Sequence, residues 1–259
     1  MEFDNSTLFF AGIIPARFAS TRFPGKPLAD ILGKPMIQHV YERAQNVFET
    51  VCAATDDKRI FDAVVNFGGN AVMTSCHHSS GTDRCAEAVD IMQKQFNKKI
   101  DVVVNIQGDE PFIAEEQLQT LKKLFDNDEI HIATLVKPFA DSEDIFNPNS
   151  PKVVVSKTNE ALYFSRSPVP FVRGSEKENW QRQFTFFKHI GLYAYRTDIL
   201  KQLAALPQGN LEKAESLEQL RWLENGYRIK VAQTNIENHA VDTPDDLMNL
   251  LASRNGLEL

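Results

Sequence analysis

Five charged side chains could do chemistry together. The run from Gly12 to Pro27, G-I-I-P-A-R-F-A-S-T-R-F-P-G-K-P, places Arg17, Arg22 and Lys26 in one short loop. Two prolines and a glycine fix the path of that loop, so the cations converge instead of spreading along a solvated helix face, and a polyanion is the guest such a cluster suits. An ordinary solvated basic loop is the competing reading. Asp109, in N-I-Q-G-D-E-P, follows the most continuous apolar strand of the chain, and Asp242, in A-V-D-T-P-D-D-L, stands just before a helix start. Either could simply cap a turn. Two carboxylates at two strand ends facing a cationic loop also match Mg²⁺ bound through few carboxylates plus substrate phosphates.

Two common phosphate-binding patterns are excluded. Ser20 stands where a Walker A loop needs its first glycine, and Pro27 follows Lys26 where Ser or Thr is required. No G-x-G-x-x-G follows the first strand, which counts against a dinucleotide oxidoreductase. The loop S-S-G-T-D-R (Ser79 to Arg84) offers hydroxyls, a flexible glycine and a helix N-terminus, suited to a base, ribose or phosphate edge or simply to a capped helix start. His189 lies among Phe186, Phe187, Ile190 and Leu192, where a core role is the plainer reading. Glu212, Glu215 and Glu218 share the i, i+3, i+6 spacing of one helix, which reads as a solvated acidic face. No Ser/His/Asp order or nucleophile elbow supports acyl transfer.

The elements that must position these residues alternate. Leu8 to Pro15 reads as a strand buried on both faces, Met36 to Phe48 as an amphipathic helix, Thr50 to Thr55 as a strand, and Asp57 as the cap of a helix through Phe67 that Gly68-Gly69 stop. A strand at Asn70 to Thr74, a helix from about Asp83 to Gln95, a strand at Ile100 to Ile106 and a helix over Glu115 to Leu124 continue the pattern. Strands are expected at His131 to Val136, Lys152 to Ser156 and Leu162 to Ser165, the last two joined by a turn at Thr158-Asn159. The alternation breaks from about Pro138 to Trp180, where prolines and charges accumulate. It resumes with a strand at Phe186 to Tyr195, helices near Thr197 to Leu203 and Leu211 to Glu224, a strand at Tyr227 to Gln233 and a helix at Thr243 to Ser253 capped by Thr243-Pro244. The expected fold is α/β: a Rossmann-like, mostly parallel mixed sheet flanked by helices, in a single domain over 1-259 that carries an inserted smaller lobe at 138-195.

A chain of 259 residues with 42% hydrophobic residues can bury a sizeable core without staples. A net charge of -7, from 28 Lys+Arg against 35 Asp+Glu, argues against a non-specific nucleic-acid partner, so the local basic loop points to a small anion. Cys52, Cys76 and Cys85 lack disulfide or zinc spacing and read as core residues of a protein in a reducing compartment. The segment Met1 to Thr7 is acidic where a signal peptide is basic, and no apolar run approaches the roughly 18 residues of a membrane span. A cytoplasmic protein without membrane insertion is expected.

The ordered blocks I-I-P-A-R-F-A-S-T-R-F-P-G-K-P-L, S-S-G-T-D-R, N-I-Q-G-D-E-P, A-L-Y-F-S-R-S, H-I-G-L-Y-A-Y-R, E-S-L-E-Q-L-R and V-D-T-P-D-D-L resemble the bacterial 3-deoxy-manno-octulosonate (Kdo) cytidylyltransferases, the CMP-Kdo synthetases, over about residues 11 to 248. The resemblance implies a fold of the nucleotide-diphospho-sugar transferase type and transfer of CMP from CTP to Kdo, releasing pyrophosphate, with Mg²⁺ as cofactor, for lipopolysaccharide biosynthesis. It implies a triphosphate site of Arg17, Arg22 and Lys26, a nucleotide loop of Ser80, Gly81, Thr82 and Arg84, and metal ligation by Asp109 and Asp242. Gln107 is implied for nucleotide and sugar, Arg166 for the sugar carboxylate, and His189, Tyr193 and Glu215 for hydroxyls. A homodimer contact through the inserted lobe is implied as well. Asp83 departs from the Glu common in the family block, a change that could alter the helix start or a ribose contact. The alternatives are CMP activation of another ulosonic or sialic-type acid, and a non-catalytic nucleotide-binding module.

Overall fold

The apolar run near the N-terminus becomes β1 (Phe10–Ala16), buried along almost its whole length. This computed structural model describes residues 8–254; Met1 to Thr7, read above as unlike a signal peptide, lies outside the described residues. A 3₁₀ turn at Lys26–Leu28 leads to a two-stranded antiparallel ribbon of β2 (Asp30–Ile31) and β3 (Lys34–Pro35). Then α1 (Met36–Gln45) buries Met36, Ile37, Val40, Tyr41 and Ala44, the stripe its spacing predicts. β4 (Thr50–Thr55) follows, and α2 (Lys58–Asn66) starts where Asp57 accepts from the Arg59 N–H. Gly68 takes φ +83°, a left-handed conformation suited to glycine at a helix end.

β5 (Ala71–Met73), α3 (Gly81–Phe96), β6 (Val102–Asn105) and α4 (Glu115–Leu124) come next, then β7 (Ile132–Pro138), β8 (Lys152–Val155), β9 (Ala161–Ser165), α5 (Trp180–Gln183) and β10 (Phe187–Arg196). The chain closes with α6 (Thr197–Ala204), α7 (Asn210–Glu215), α8 (Gln219–Glu224), β11 (Lys230–Gln233) and α9 (Pro244–Arg254). The single helix expected over Leu211 to Glu224 is two: Ser216 takes φ +51° and ends α7. The acidic row expected on it is accordingly not one solvated face. Glu212 is buried and forms a two-pronged ion pair with buried Arg221, at 2.7 Å for each N–H to carboxylate bond.

Contacts group the chain into two compact units. The first holds residues 8–119, 194–204 and 238–254; the second holds 120–193 and 205–237. The lobe was expected at 138-195. In the first unit the strand order is β6-β1-β4-β5, all parallel, with β1 paired from Ala11↔Thr50 to Ala16↔Thr55 and from Phe10↔Val102 to Ile13↔Asn105. In the second, β11 pairs parallel with β7, β7 neighbours β10, β8 pairs antiparallel with β10, and β9 with β8. The sheet is mixed, mostly parallel and flanked by helices, as the sequence reading expects. Cys52 and Cys85 pack in the core, but Cys76 is exposed on the loop before α3 and is not a core residue.

Candidate active site

The loop after β1 is shaped by its own backbone. The Phe18 carbonyl accepts from the N–H groups of Ser20 and Gly25, and the Ser20 hydroxyl accepts from the Phe23 N–H. Gly25 sits at φ +71°, where an added Cβ would also stand 3.0 Å from the Phe18 ring. That turn delivers Lys26 inward with its side chain only 14% exposed, whereas Arg22 stays 65% exposed.

Lys26 Nζ donates to Asp109 Oδ2 at 2.8 Å and to Asp242 Oδ1 at 3.2 Å. Arg22 Nη1 lies 3.1 Å from the other oxygen of Asp242. Asp109 is carried by the turn after β6. Gly108 makes that turn possible, because a Cβ there would meet the Pro15 carbonyl at 3.1 Å. Asp242 was expected at a strand end but follows no strand. It is brought in by the Val241 N–H donating to the Asp109 carbonyl, and by the α9 start, where Asp246 accepts from the Asp242 and Thr243 N–H groups. Thr243 Oγ1 in turn accepts from the Asp246 N–H, which makes Thr243 the cap.

Glu110, beside Asp109, is buried, and burial together with the neighbouring Asp109 charge pushes its carboxyl up to about 8. It accepts from Asn238 Nδ2 at 2.5 Å, tying the turn after β6 to the segment that leads to Asp242. The sequence held no signal for this bond, since the partners are 128 residues apart.

Lys26, Arg22, Asp109 and Asp242 line one cavity of about 270 Å³ in the first unit. Of the residues named from sequence, Arg17, Arg22, Lys26, Ser80, Gly81, Arg84, Gln107, Asp109 and Asp242 lie on its wall. Thr82 does not: its side chain is buried beneath the start of α3. Arg84 is 4% exposed, donating to Thr74 Oγ1 at 2.6 Å and to Asp56 Oδ2 at 3.0 Å, so much of its guanidinium braces the helix start. Asp83 still closes the capping box, accepting from the Ser80 N–H while the Ser80 hydroxyl accepts from the Asp83 N–H. His78 also lines the cavity; the sequence reading passed over it as part of a polar loop.

Among the described residues no cluster of three His, Cys, Asp or Glu side chains is placed to hold a metal by itself. The convergence of Asp109 and Asp242 on one ammonium nevertheless shows that the pair can accommodate a cation between them. That donor set fits Mg²⁺, which takes one or two carboxylates and completes its shell with water and phosphate oxygens.

The other expected residues lie in the second unit, in two pairs. Glu215 accepts from the Arg166 N–H at 2.9 Å and from Ser165 Oγ at 2.7 Å, while Arg166 Nε, Nη1 and Nη2 donate to the carbonyls of Glu215, Pro148 and Ser216. The His189 and Tyr193 rings meet at 5.2 Å between centroids, tilted by 51°. Burial pushes the His189 ring down to about 3 and the Tyr193 phenol well up, so both are neutral at physiological pH. Thr134 Oγ1 lies 3.2 Å from His189 Nε2.

The cytidylyltransferase family model matches residues 11–230. The 3-deoxy-manno-octulosonate cytidylyltransferase of Parabacteroides distasonis is 60% identical over 94% of this chain and 97% of its own length, and that of Cytophaga hutchinsonii is 51% identical over 95% and 98%. A solved structure of CMP:2-keto-3-deoxy-manno-octonic acid synthetase complexed with CTP superposes with a TM-score of 0.85 at 42% identity, covering 96% of this chain and 99% of that one. A glucose-1-phosphate thymidylyltransferase from Bacillus anthracis, at 15% identity and a TM-score of 0.65, shares the fold. The chain therefore belongs to the cytidylyltransferases and, among them, to the 3-deoxy-manno-octulosonate cytidylyltransferase family of nucleotidyltransferases.

Proposed function

We propose that this protein activates Kdo with CTP, giving CMP-Kdo and pyrophosphate for lipopolysaccharide assembly. The carrying observation is the Lys26 ammonium held between Asp109 and Asp242 on the wall of a cavity that Arg17 and Arg22 also line. In this reaction the anomeric hydroxyl of Kdo forms a bond to the α-phosphorus of CTP and gives up its proton to solvent, while the bond from that phosphorus to the bridging oxygen breaks and its electron pair leaves with pyrophosphate. The protein's part is alignment and charge neutralisation. Arg17, Arg22 and Lys26 hold the triphosphate, and Lys26 stabilises charge on the departing oxygen. The Ser80-Gly81 start of α3 and Gln107 hold the nucleoside side.

Asp109 and Asp242 would hold Mg²⁺ together with substrate phosphates, where the ion would make the attacking hydroxyl more acidic and polarise an α-phosphate oxygen. With nucleotide bound, Lys26 then exchanges its carboxylate partners for phosphate. In the second unit, Arg166 pairs with the sugar carboxylate, and the remaining N–H groups of Nη1 and Nη2 supply that contact. His189, Tyr193 and Glu215 take hydroxyls. The neutral state of His189 supports a hydrogen-bonding role over a charge-pairing one.

A homodimer is part of the reading. Phe146, Phe171 and Phe184 remain exposed around buried Trp180 and Phe186, with Phe171 stacked edge-on at 5.0 Å from the Trp180 ring, and such an apolar cluster suits a second copy. Among the described residues no helix is long and apolar enough to cross a membrane, and the thiols of Cys52, Cys76 and Cys85 are free; both features support a cytoplasmic site of action.

The test is pyrophosphate release with CTP and Mg²⁺ across a panel of Kdo, its amino variant and sialic acid. Kdo is expected to be turned over fastest. Faster release with another acid reassigns the sugar, and no release with any acid overturns the reading.

A further inference from the structure

His78 lines the cavity without a part in the roles above, and its surroundings give it a defined proton arrangement. It sits on the loop between β5 and α3, and its side chain is 19% exposed. Its Nε2 makes a close contact with Oε2 of Glu87, one and a half turns into α3. The same carboxylate oxygen accepts from the Ser75 N–H at 2.8 Å. Burial alone would raise the Glu87 carboxyl, but those two donors and the nearby Arg84 charge hold it below the ordinary carboxylate range, so it is ionised at neutral pH. An ionised carboxylate only accepts, and it therefore keeps the imidazole proton on Nε2. Among the described residues Nδ1 has no hydrogen-bonding partner, while the ring lies on the cavity wall beside Ser79, Ser80 and Gly81.

We infer that His78 is a base-specificity residue: Glu87 fixes its tautomer so that Nδ1 presents a bare lone pair that accepts from the exocyclic amino group of cytosine. Uracil carries a carbonyl oxygen where cytosine carries that amine, so the same lone pair would face another acceptor. A site built to pair a substrate N–H discriminates strongly against an analogue without one, because the buried group is then left unpaired. The Arg17, Arg22 and Lys26 cluster cannot make this distinction, since CTP and UTP share one triphosphate. The inference rests on the reading above that the cavity takes CTP, and it deepens that reading by naming how the base is chosen.

The test compares wild type with His78→Phe and Glu87→Lys, measuring CTP and UTP affinities by calorimetry at pH 8, above the ordinary range of imidazole titration. Wild-type protein that binds neither nucleotide overturns the function itself and is distinguishable from any outcome in the variants. In His78→Phe the preference for CTP over UTP is expected to fall about tenfold to a hundredfold, almost wholly through weaker CTP binding. Glu87→Lys puts a group that can only donate beside Nε2, which moves the ring proton to Nδ1; its preference is expected to fall in the same direction. Should His78→Phe fail to fold, Glu87→Lys decides the matter. A folded variant that keeps the wild-type ratio, or that loses CTP and UTP equally as a phosphate ligand would, overturns the inference.

Discussion

The protein contains two clusters in which lysines meet carboxylates, and they are built to opposite ends. In the first unit, Lys26 is shared by Asp109 and Asp242, with Arg22 added to Asp242 and Arg17 on the same cavity wall. In the second, Lys137 and Lys188 each bridge Glu143 and Glu237, at 2.5 to 3.1 Å, in a square of two cations and two anions. The square is charge-balanced and closed, with its lysines 11 to 13% exposed, and all four charges find partners inside it. The first cluster carries more cations than anions and opens on a cavity, so its charges are completed only by something that binds. A saturated ion cluster holds a fold together; an unbalanced, open one recruits a ligand.

Asp109→Asn and Asp242→Asn should have the largest effects, lowering turnover about a thousandfold while far-UV circular dichroism and the thermal midpoint hold, since each removes a charge that the bound state needs. Full activity in either variant would remove that residue from the metal site. Lys26→Ala should lower kcat about a hundredfold with little change in the KM for Kdo. A change confined to KM would make it a binding residue alone.

Lys188→Met sharpens the contrast from the other side. It leaves Glu143 and Glu237 short of a partner, and chemical denaturation should show about 3 kcal/mol less stability with kcat unchanged in the folded fraction. A loss of turnover at equal stability would break the distinction between the clusters.

The closed square also makes a pH prediction. Burial alone would raise the Glu143 carboxyl, but the Ala140 N–H and the two ammonium groups bring it down to about 2. Its folded value lies below the unfolded 4.5, so its stabilisation is complete above about pH 5 and is lost as pH falls toward 2. Denaturation midpoints that stay flat from pH 5 to pH 3 after correction for Glu143→Gln would contradict this. The smallest effect belongs to Arg22→Ala, where an exposed cation should cost CTP affinity about threefold at low salt and less at high salt.

Much of the cavity wall was legible because its signals are local. Gly25 and the prolines constrain the cationic loop within a few residues, Asp109 is fixed by a β-branched strand and a glycine, and Thr243-Pro244 mark a helix start through their own backbone chemistry. What escaped involved partners distant in sequence or a local break without a marker. Glu212 read as solvated because helical spacing says nothing about Arg221, which reaches it only after Ser216 turns the chain. Arg84 read as a ligand-facing cation, although Thr74 and Asp56 hold it as a brace.

By itself the sequence determined which residues could neutralise a triphosphate and which strands would carry them, since hydrophobic periodicity and turn chemistry act over a few residues. The tertiary structure alone decided that Lys26 lies between Asp109 and Asp242, 83 and 216 residues away, and that His78 meets Glu87 at the cavity wall. Those choices depend on how parallel strand ends and backbone bonds such as Val241 N–H to Asp109 C=O fold back on one another, and no local pattern encodes them.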